Sequence, residues 1–247
     1  MFDKDIETKR YDDVADSFLK DNNINKNVEI PKYLYAPYEF YFASLKIENE
    51  KSKLLEIGAG TGNNTGPLIK MFYKVCATDI SLKSVRLLKK KFKGNTNFVA
   101  KYADMEKLPF SNDSFDVVCG TGVLSYGENT IVMSEIYRVL KPGGKLFLVD
   151  SLNENPIYKF NRYLHYLRGL RSKSTLLRMP TIKTINEYKR KFAKVDVKYF
   201  GAVTWILPIL NRVLNKNLTY NFSNWIDRIF KIKKSGFKFV MRAEKKQ

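Results

Sequence analysis

Apolar residues recur along this chain in two rhythms, one helical and one that alternates short strands with helices. Residues 8–22 (TKRYDDVADSFLKDN) carry apolar positions at helical intervals and predict a short amphipathic helix. Residues 31–46 are rich in aromatics (Tyr33, Tyr35, Tyr38, Phe40, Tyr41 and Phe42) and predict a second helix opened by Pro31. Strands are then expected at Lys53–Ile57, Tyr73–Thr78, Asn97–Tyr102, Phe115–Gly120 and Lys145–Ser151. Helical patterns over 64–72, 82–91 and 129–140 lie between them. Such an alternation predicts right-handed parallel βαβ units, with the strand carboxyl ends along one edge, where ligands bind.

The rhythm changes after residue 151. Residues 156–171 read as a helix with apolar positions at 157, 160, 164 and 167. A further helix is expected over 184–193 and strands at Val195–Phe200 and Gly236–Ala243. Between those strands, 203–232 carries Trp205, Leu207, Leu210, Leu214, Trp225, Ile226, Ile229 and Phe230 and reads as an inserted helical segment. The expected fold is a single α/β domain, a doubly wound, mostly parallel seven-stranded sheet. A helical cap spans 1–50 and the core 51–151, with substrate-side insertions at 152–182 and 203–232.

Composition narrows the class. In 247 residues, 44% are hydrophobic and 14% aromatic, enough to bury a sizeable core and too many for a disordered chain. Cys76 and Cys119 sit in apolar runs without a CxxC pair, which argues against a zinc site or a disulfide framework and makes a reducing cytoplasm the expectation. No dedicated acidic cluster suggests a metal. The charged opening MFDKDIETKRYDD lacks the apolar core of a signal peptide, and the run Ala202–Leu210 is too short to span a bilayer. The net charge is +19, and it is unevenly spread: residues 151–247 hold 22 Lys and Arg against 5 Asp and Glu. A basic carboxyl-terminal part suggests an anionic partner: a diphosphate-bearing small molecule, a nucleic acid or an acidic membrane surface.

The strongest chemical signal is Leu54-Leu55-Glu56-Ile57-Gly58-Ala59-Gly60-Thr61-Gly62, an apolar strand running into a glycine-rich turn and a helix. The glycines permit positive φ and close approach of backbone to a ligand. Asp79 ends the second strand in CATDIS, where a carboxylate can accept both hydroxyls of a ribose. Asp104, in Ala103-Asp104-Met105, follows the third strand and could accept from an adenine amino group. Ser114–Cys119 opens the fourth strand, and Val139-Leu140-Lys141-Pro142-Gly143-Gly144 closes the fourth helix with a glycine turn.

These five motifs, in this order over about residues 8–151, resemble the class I S-adenosylmethionine (SAM)-dependent methyltransferases, in the branch that acts on quinones, lipids and sugars. The resemblance implies SAM as cofactor and S-adenosylhomocysteine as product. It implies that Glu56, Gly58, Ala59 and Gly60 line the methionine part, that Asp79 and Ile80 hold ribose and adenine, and that Asp104 and Met105 hold the adenine ring. Gly120 and Thr121 would offer backbone atoms to the amino-acid end, and Tyr11, in a RYDxxA-like opening helix, would close over the cofactor. Many such enzymes carry a histidine shortly after the fourth strand; here that position is Tyr126, a candidate for the acceptor pocket.

A transfer to a hydroxyl needs a proton acceptor. His165 is the only histidine in the chain and lies after the fifth strand. Asn161, His165 and Arg168 fall on one helical face, and Arg162, Arg171 and Arg178 lie nearby, suited to bidentate phosphate contacts. A solvated basic face fits the same pattern. The stretch NRYLHYLRGLRSKSTLLRMP more loosely resembles methyltransferases of bacterial capsule and lipopolysaccharide gene clusters. That resemblance implies O-methylation of a sugar carried on a nucleoside diphosphate or a lipid.

Four other readings compete with this one. A dehydrogenase would carry GxGxxG, with a third glycine where this chain has Asn63. A nucleic-acid methyltransferase fits the basic tail, but the fourth strand ends in CGTG, without the [DN]PP[YF] or Pro-Cys motif, which argues against it. A lipid or quinone methyltransferase could dock on a membrane through Trp205, Trp225 and nearby lysines, residues that equally suit a core or a homodimer interface. A SAM-binding protein without turnover is opposed by the intact motif series.

Overall fold

The computed structural model describes residues 3–20, 34–48, 51–204, 206–207, 215–229 and 233–247. Two helices open the described chain, α1 (Asp3–Lys20) and α2 (Ala36–Leu45). The expected α2 began at Pro31; the proline in its first turn is Pro37, while Pro31 and Tyr33 fall outside the described residues. The core then alternates: β1 (Lys53–Ile57), α3 (Thr65–Met71), β2 (Lys74–Asp79), α4 (Leu82–Lys91), β3 (Phe98–Tyr102), β4 (Phe115–Thr121), α5 (Asn129–Val139) and β5 (Leu140–Ser151). It continues with α6 (Pro156–Leu167), α7 (Lys173–Leu177), α8 (Ile182–Lys191), β6 (Lys194–Phe200), α9 (Lys216–Ile229) and β7 (Lys238–Glu244).

Local chemistry sets several of these boundaries. The Ser81 hydroxyl accepts from the Ser84 amide and starts α4 at the residue the pattern predicts. Asn155 caps α6 by accepting from the Ile157 amide. The expected 156–171 helix ends at Leu167, just before Gly169, which has φ +70, and resumes as α7 behind the Ser172 cap. The turn Lys141–Gly144 was expected between a helix and a strand. It is a bulged start of β5, with the register shifting between Phe115 and Val117 of β4. Trp205, Leu210, Leu214 and Phe230 of the expected 203–232 insertion lie outside the described residues; its described helix is α9.

The seven strands form one sheet in the order β3-β2-β1-β4-β5-β7-β6. The first five are parallel, and β7 runs antiparallel to both β5 and β6. Successive strand residues serve opposite faces. Leu55, Ile57, Val118, Leu146 and Leu148 pack with Val132, Ile136, Ile185 and Tyr188 of α5 and α8. Leu54, Val117, Cys119, Phe147 and Val149 pack with Tyr41, Leu45 and Leu68 of α2 and α3. Cys76 and Cys119 are buried and free, as strand-core residues. Sequence order reverses between β1 and β4, so a crevice opens where the carboxyl ends of those strands diverge.

Candidate functional site

That crevice is a cavity of about 680 Å³. Its floor is the turn after β1. Gly58 has φ +62 and Gly60 φ +54, in the left-handed region that favours glycine. A Cβ on Gly58 would lie 2.5 Å from Val123 Cγ1, whereas one on Gly60 would meet no atom within 4 Å. Gly60 lines the cavity, so its backbone is bare toward open space. The turn is tied to β2 by the Ala59 amide, which donates to the Thr78 carbonyl at 2.9 Å.

Asp79 sits at the edge of this floor. Its Oδ2 accepts from the Gly60 amide and its Oδ1 from the Ser81 amide, both at 2.8 Å. Burial pushes its pKa up, and the backbone donors oppose that shift. The result is a fixed carboxylate with lone pairs left over for a ligand. Asp104 closes the adenine side expected from the sequence: its Oδ1 accepts from the Glu106 amide at 2.9 Å and its Oδ2 from Lys4 Nζ at 2.6 Å. Ala59, Ile80, Met105, Thr121 and Tyr126 also line the cavity.

Two residues expected in the lining lie beneath it, because their strand positions turn into the sheet. Glu56 is 3% exposed, accepts from Thr65 Oγ1 at 2.7 Å, and has its pKa raised to about 7 by burial. At Gly120 a Cβ would crowd Ile57, Val123 and Leu148 at 2.9–3.3 Å, so the glycine serves close packing.

The roof comes from α1 and α2. Lys4, Glu7, Tyr11 and Val14 face the cavity from α1, and Tyr35, Tyr38, Glu39 and Phe42 from α2 and the residue before it. Spacings of three, four and seven put each set on one helical face. Lys4 bridges to Asp104 and to Glu106 (2.5 Å), Ser81 Oγ donates to Asp12 at 2.5 Å, and Lys83 pairs with Asp16. Tyr11 meets Tyr126 edge to face at 5.5 Å between ring centroids. Burial holds the Tyr11 phenol well above its ordinary pKa, hence neutral. Glu7 Oε1 accepts from Thr175 Oγ1 at 2.7 Å; its Oε2 is buried without a hydrogen-bond partner, with Arg10 Nη1 3.6 Å away. The expected helix began at residue 8, which hid Lys4 and Glu7. Their one-face spacing with Tyr11 is the signal that could have found them.

The carboxyl-terminal candidates are not brought to this cavity. Asn161, Arg162, His165, Arg168, Arg171 and Arg178 are absent from its lining. Arg162 is buried instead as a structural cation: its Nη1 donates to the Leu152 carbonyl at 2.8 Å and to Asn153 Oδ1 at 3.0 Å, beside the Tyr158 and Phe237 rings. Asn161 and Arg168 are exposed, and His165 is half-buried on α6. Arg171 reaches Met179 Sδ at 4.0 Å, and the Arg178 carbonyl accepts from Asn129. The cause is α6 itself, which points its inward face at Gly201 and Phe237 through Tyr158.

The charge of the lining is the reverse of that of the chain. Among the described residues it holds the carboxylates of Glu7, Glu39, Asp79 and Asp104, one lysine already paired with Asp104, and no arginine or histidine. Such a cavity favours a cationic ligand. The bare glycine turn, the oriented Asp79 and the volume together fit an adenosyl sulfonium compound. Among the described residues, no group of His, Cys, Asp and Glu has the arrangement of a metal site.

Residues 55–148 match the family model described as a methyltransferase domain. That stretch spans the five parallel strands, β1 to β5, of the Rossmann-like sheet. A demethylmenaquinone methyltransferase of Chlorobaculum parvum is 34% identical over 143 residues, 54% of this chain and 58% of that protein. A ubiquinone/menaquinone biosynthesis C-methyltransferase of Wigglesworthia glossinidia brevipalpis is 29% identical over 170 residues, 66% of each chain. The chain thus spans less than two thirds of the length of these relatives. The fold is shared with phosphoethanolamine N-methyltransferase 2 of Haemonchus contortus, solved with SAM, at TM-score 0.60 and 21% identity over 85% of this chain and 53% of that one.

Proposed function

We propose that this chain transfers the methyl group of SAM to an uncharged, largely apolar acceptor of the quinol or lipid class. The observation that carries the reading is the lining: aromatic and acidic, with the one cation among its described residues already paired. A diphosphate would face four carboxylates there without an arginine, which disfavours the nucleoside-diphosphate sugar expected from the sequence. That expectation rested on His165 and the arginines of 162–178, which lie outside the lining. The names of the relatives support the same choice.

Bound in the cavity, the cofactor supplies an electrophilic methyl on a sulfonium. The chain's own residues do the rest. Asp79 would accept from the ribose hydroxyls, Ile80 and Met105 would pack on the adenine, Asp104 would accept from its amino group, and the backbone at Gly58, Ala59 and Gly60 would cradle the methionine end. Tyr11, Tyr38, Phe42 and Tyr126 enclose an apolar acceptor and exclude water, so that alignment supplies much of the rate. Glu7 accepts the acceptor's hydroxyl proton, because its Oε2 is buried without a hydrogen-bond donor.

The test is transfer from labelled SAM to a demethylated prenyl naphthoquinol and, in parallel, to nucleoside-diphosphate sugars. Methylation of the quinol is expected, with kcat falling about 100-fold or more in Glu7→Gln at unchanged cofactor affinity. Methylation of the sugars alone, or loss in His165→Ala but not in Glu7→Gln, overturns the reading.

A further inference from the structure

Two helices of the basic half are built inside out. On α9 the buried residues are Thr219 and Ser223, with Asp227 half-buried behind them, at intervals of four. The large apolar residues Leu218, Phe222, Trp225 and Ile229 are exposed, with Trp225 55% exposed. At 3.6 residues per turn these four fall within about 60° of arc. An ordinary surface helix buries such a stripe. Phe222 and Trp225 stack on each other at 6.4 Å, forming a continuous ridge. On α6 the pattern recurs: Phe160, Tyr163 and Leu167 are exposed along one face, while Tyr158 and Arg162 are buried.

Both helices are anchored to one turn. The Tyr158 hydroxyl donates to the Gly201 carbonyl at 2.9 Å, and the Asp227 carboxylate accepts from the Gly201 and Ala202 amides at 2.7 and 3.0 Å. That turn follows β6, which runs parallel to β5, so it stands on the sheet edge that holds the cavity. The Tyr220 hydroxyl of α9 donates to Glu39, itself part of the cavity lining. The apolar ridges therefore flank the cavity edge.

Charge selects the occupant. Residues 151–247 carry 22 Lys and Arg against 5 Asp and Glu, and exposed Lys159 and Arg168 flank the α6 ridge. Apolar ridges on a strongly cationic half of the chain match an acyl layer beneath anionic headgroups. We infer that the exposed faces of α6 and α9 dock this protein on an anionic lipid bilayer, with the cavity edge toward the membrane. The inference deepens the proposed acceptor class by giving an apolar acceptor a route from the bilayer, but the docking is tested without catalysis.

The experiment is co-sedimentation of the full chain with phosphatidylcholine vesicles, with and without phosphatidylglycerol. Binding is expected to the anionic vesicles, falling at least about tenfold in the double variant Phe222→Ser/Trp225→Ser and weakening steeply with salt. Calorimetry with S-adenosylhomocysteine should be unchanged in that variant, which shows that the fold and the cofactor site are intact. A failure of methyl transfer with vesicle binding retained would sink the proposed function and leave the docking standing. Equal vesicle binding by wild type and variant overturns the inference. So does a wild-type dimer, seen by analytical ultracentrifugation, that ignores vesicles and dissociates on the same double substitution.

Discussion

At the scale of single residues, the site is a contest between burial and charge. Glu56 lies under the glycine turn with its pKa moved from 4.5 to about 7 by burial. A carboxyl group that holds its proton more tightly when folded loses stability as pH rises through that window. The cost is on the order of 3 kcal/mol above about pH 7. Glu56→Gln keeps an acceptor for Thr65 Oγ1 and carries no charge. The variant is expected to match the wild type in thermal stability near pH 5 and to exceed it by several degrees near pH 8. A gap independent of pH would contradict the burial argument. Asp79 meets the same desolvation with two backbone donors and stays poised as an acceptor. The place of Gly58-Ala59-Gly60, Asp79 and Asp104 in the cavity lining was legible because these positions follow directly from strand ends. Glu7 was not, because a lone carboxylate in a charged opening segment looks like solvated surface until the helix is placed.

At the scale of elements, α1 is the part whose role depends most on tertiary contact. Ion pairs from Lys4 and Lys83 hold it over the cavity; both are partly exposed and screened by solvent, so they add little to global stability. Their function is local closure. Lys4→Ala is expected to leave the melting temperature within about 2 °C, to raise amide exchange across Asp3–Lys20, and to weaken cofactor binding several-fold. Unchanged exchange in α1 would show that the helix is held by other contacts. The parallel core was readable almost to the residue: α4 came out at Leu82–Lys91 as its pattern implied, since Ser81 supplies the cap. Less was readable after β5. The 156–171 pattern hid a break, because Gly169 and the Ser172 cap act on a scale shorter than the apolar period. His165 and the arginines suggest that the helix turns their face to the acceptor, but packing selects Tyr158 and Arg162 for the interior.

At the scale of the whole molecule, the chain separates its charges. A net +19 surrounds a cavity lined by carboxylates, and the excess lies after residue 150. Sequence alone located the asymmetry and left a diphosphate-bearing molecule, a nucleic acid and an acidic membrane surface open as its partner. The structure keeps the described basic residues after 150 out of the cavity lining and leaves Lys159 and Arg168 exposed beside the α6 ridge, a distinction that only burial can make. The molecule thus presents carboxylates to a cationic ligand inside and, by our inference, cations to an anionic surface outside.

The central claim is that the turn at Gly58–Gly60 and the carboxylates of Asp79 and Asp104 bind one adenosyl compound. Titration calorimetry with S-adenosylhomocysteine tests it most directly, on the wild type and on Gly58→Ala, whose Cβ would meet Val123 Cγ1 at 2.5 Å. The account predicts saturable binding of one molecule per chain, weakened at least about tenfold in Gly58→Ala. Absence of any binding heat from folded wild type at several temperatures, or equal affinity in the variant, would contradict it.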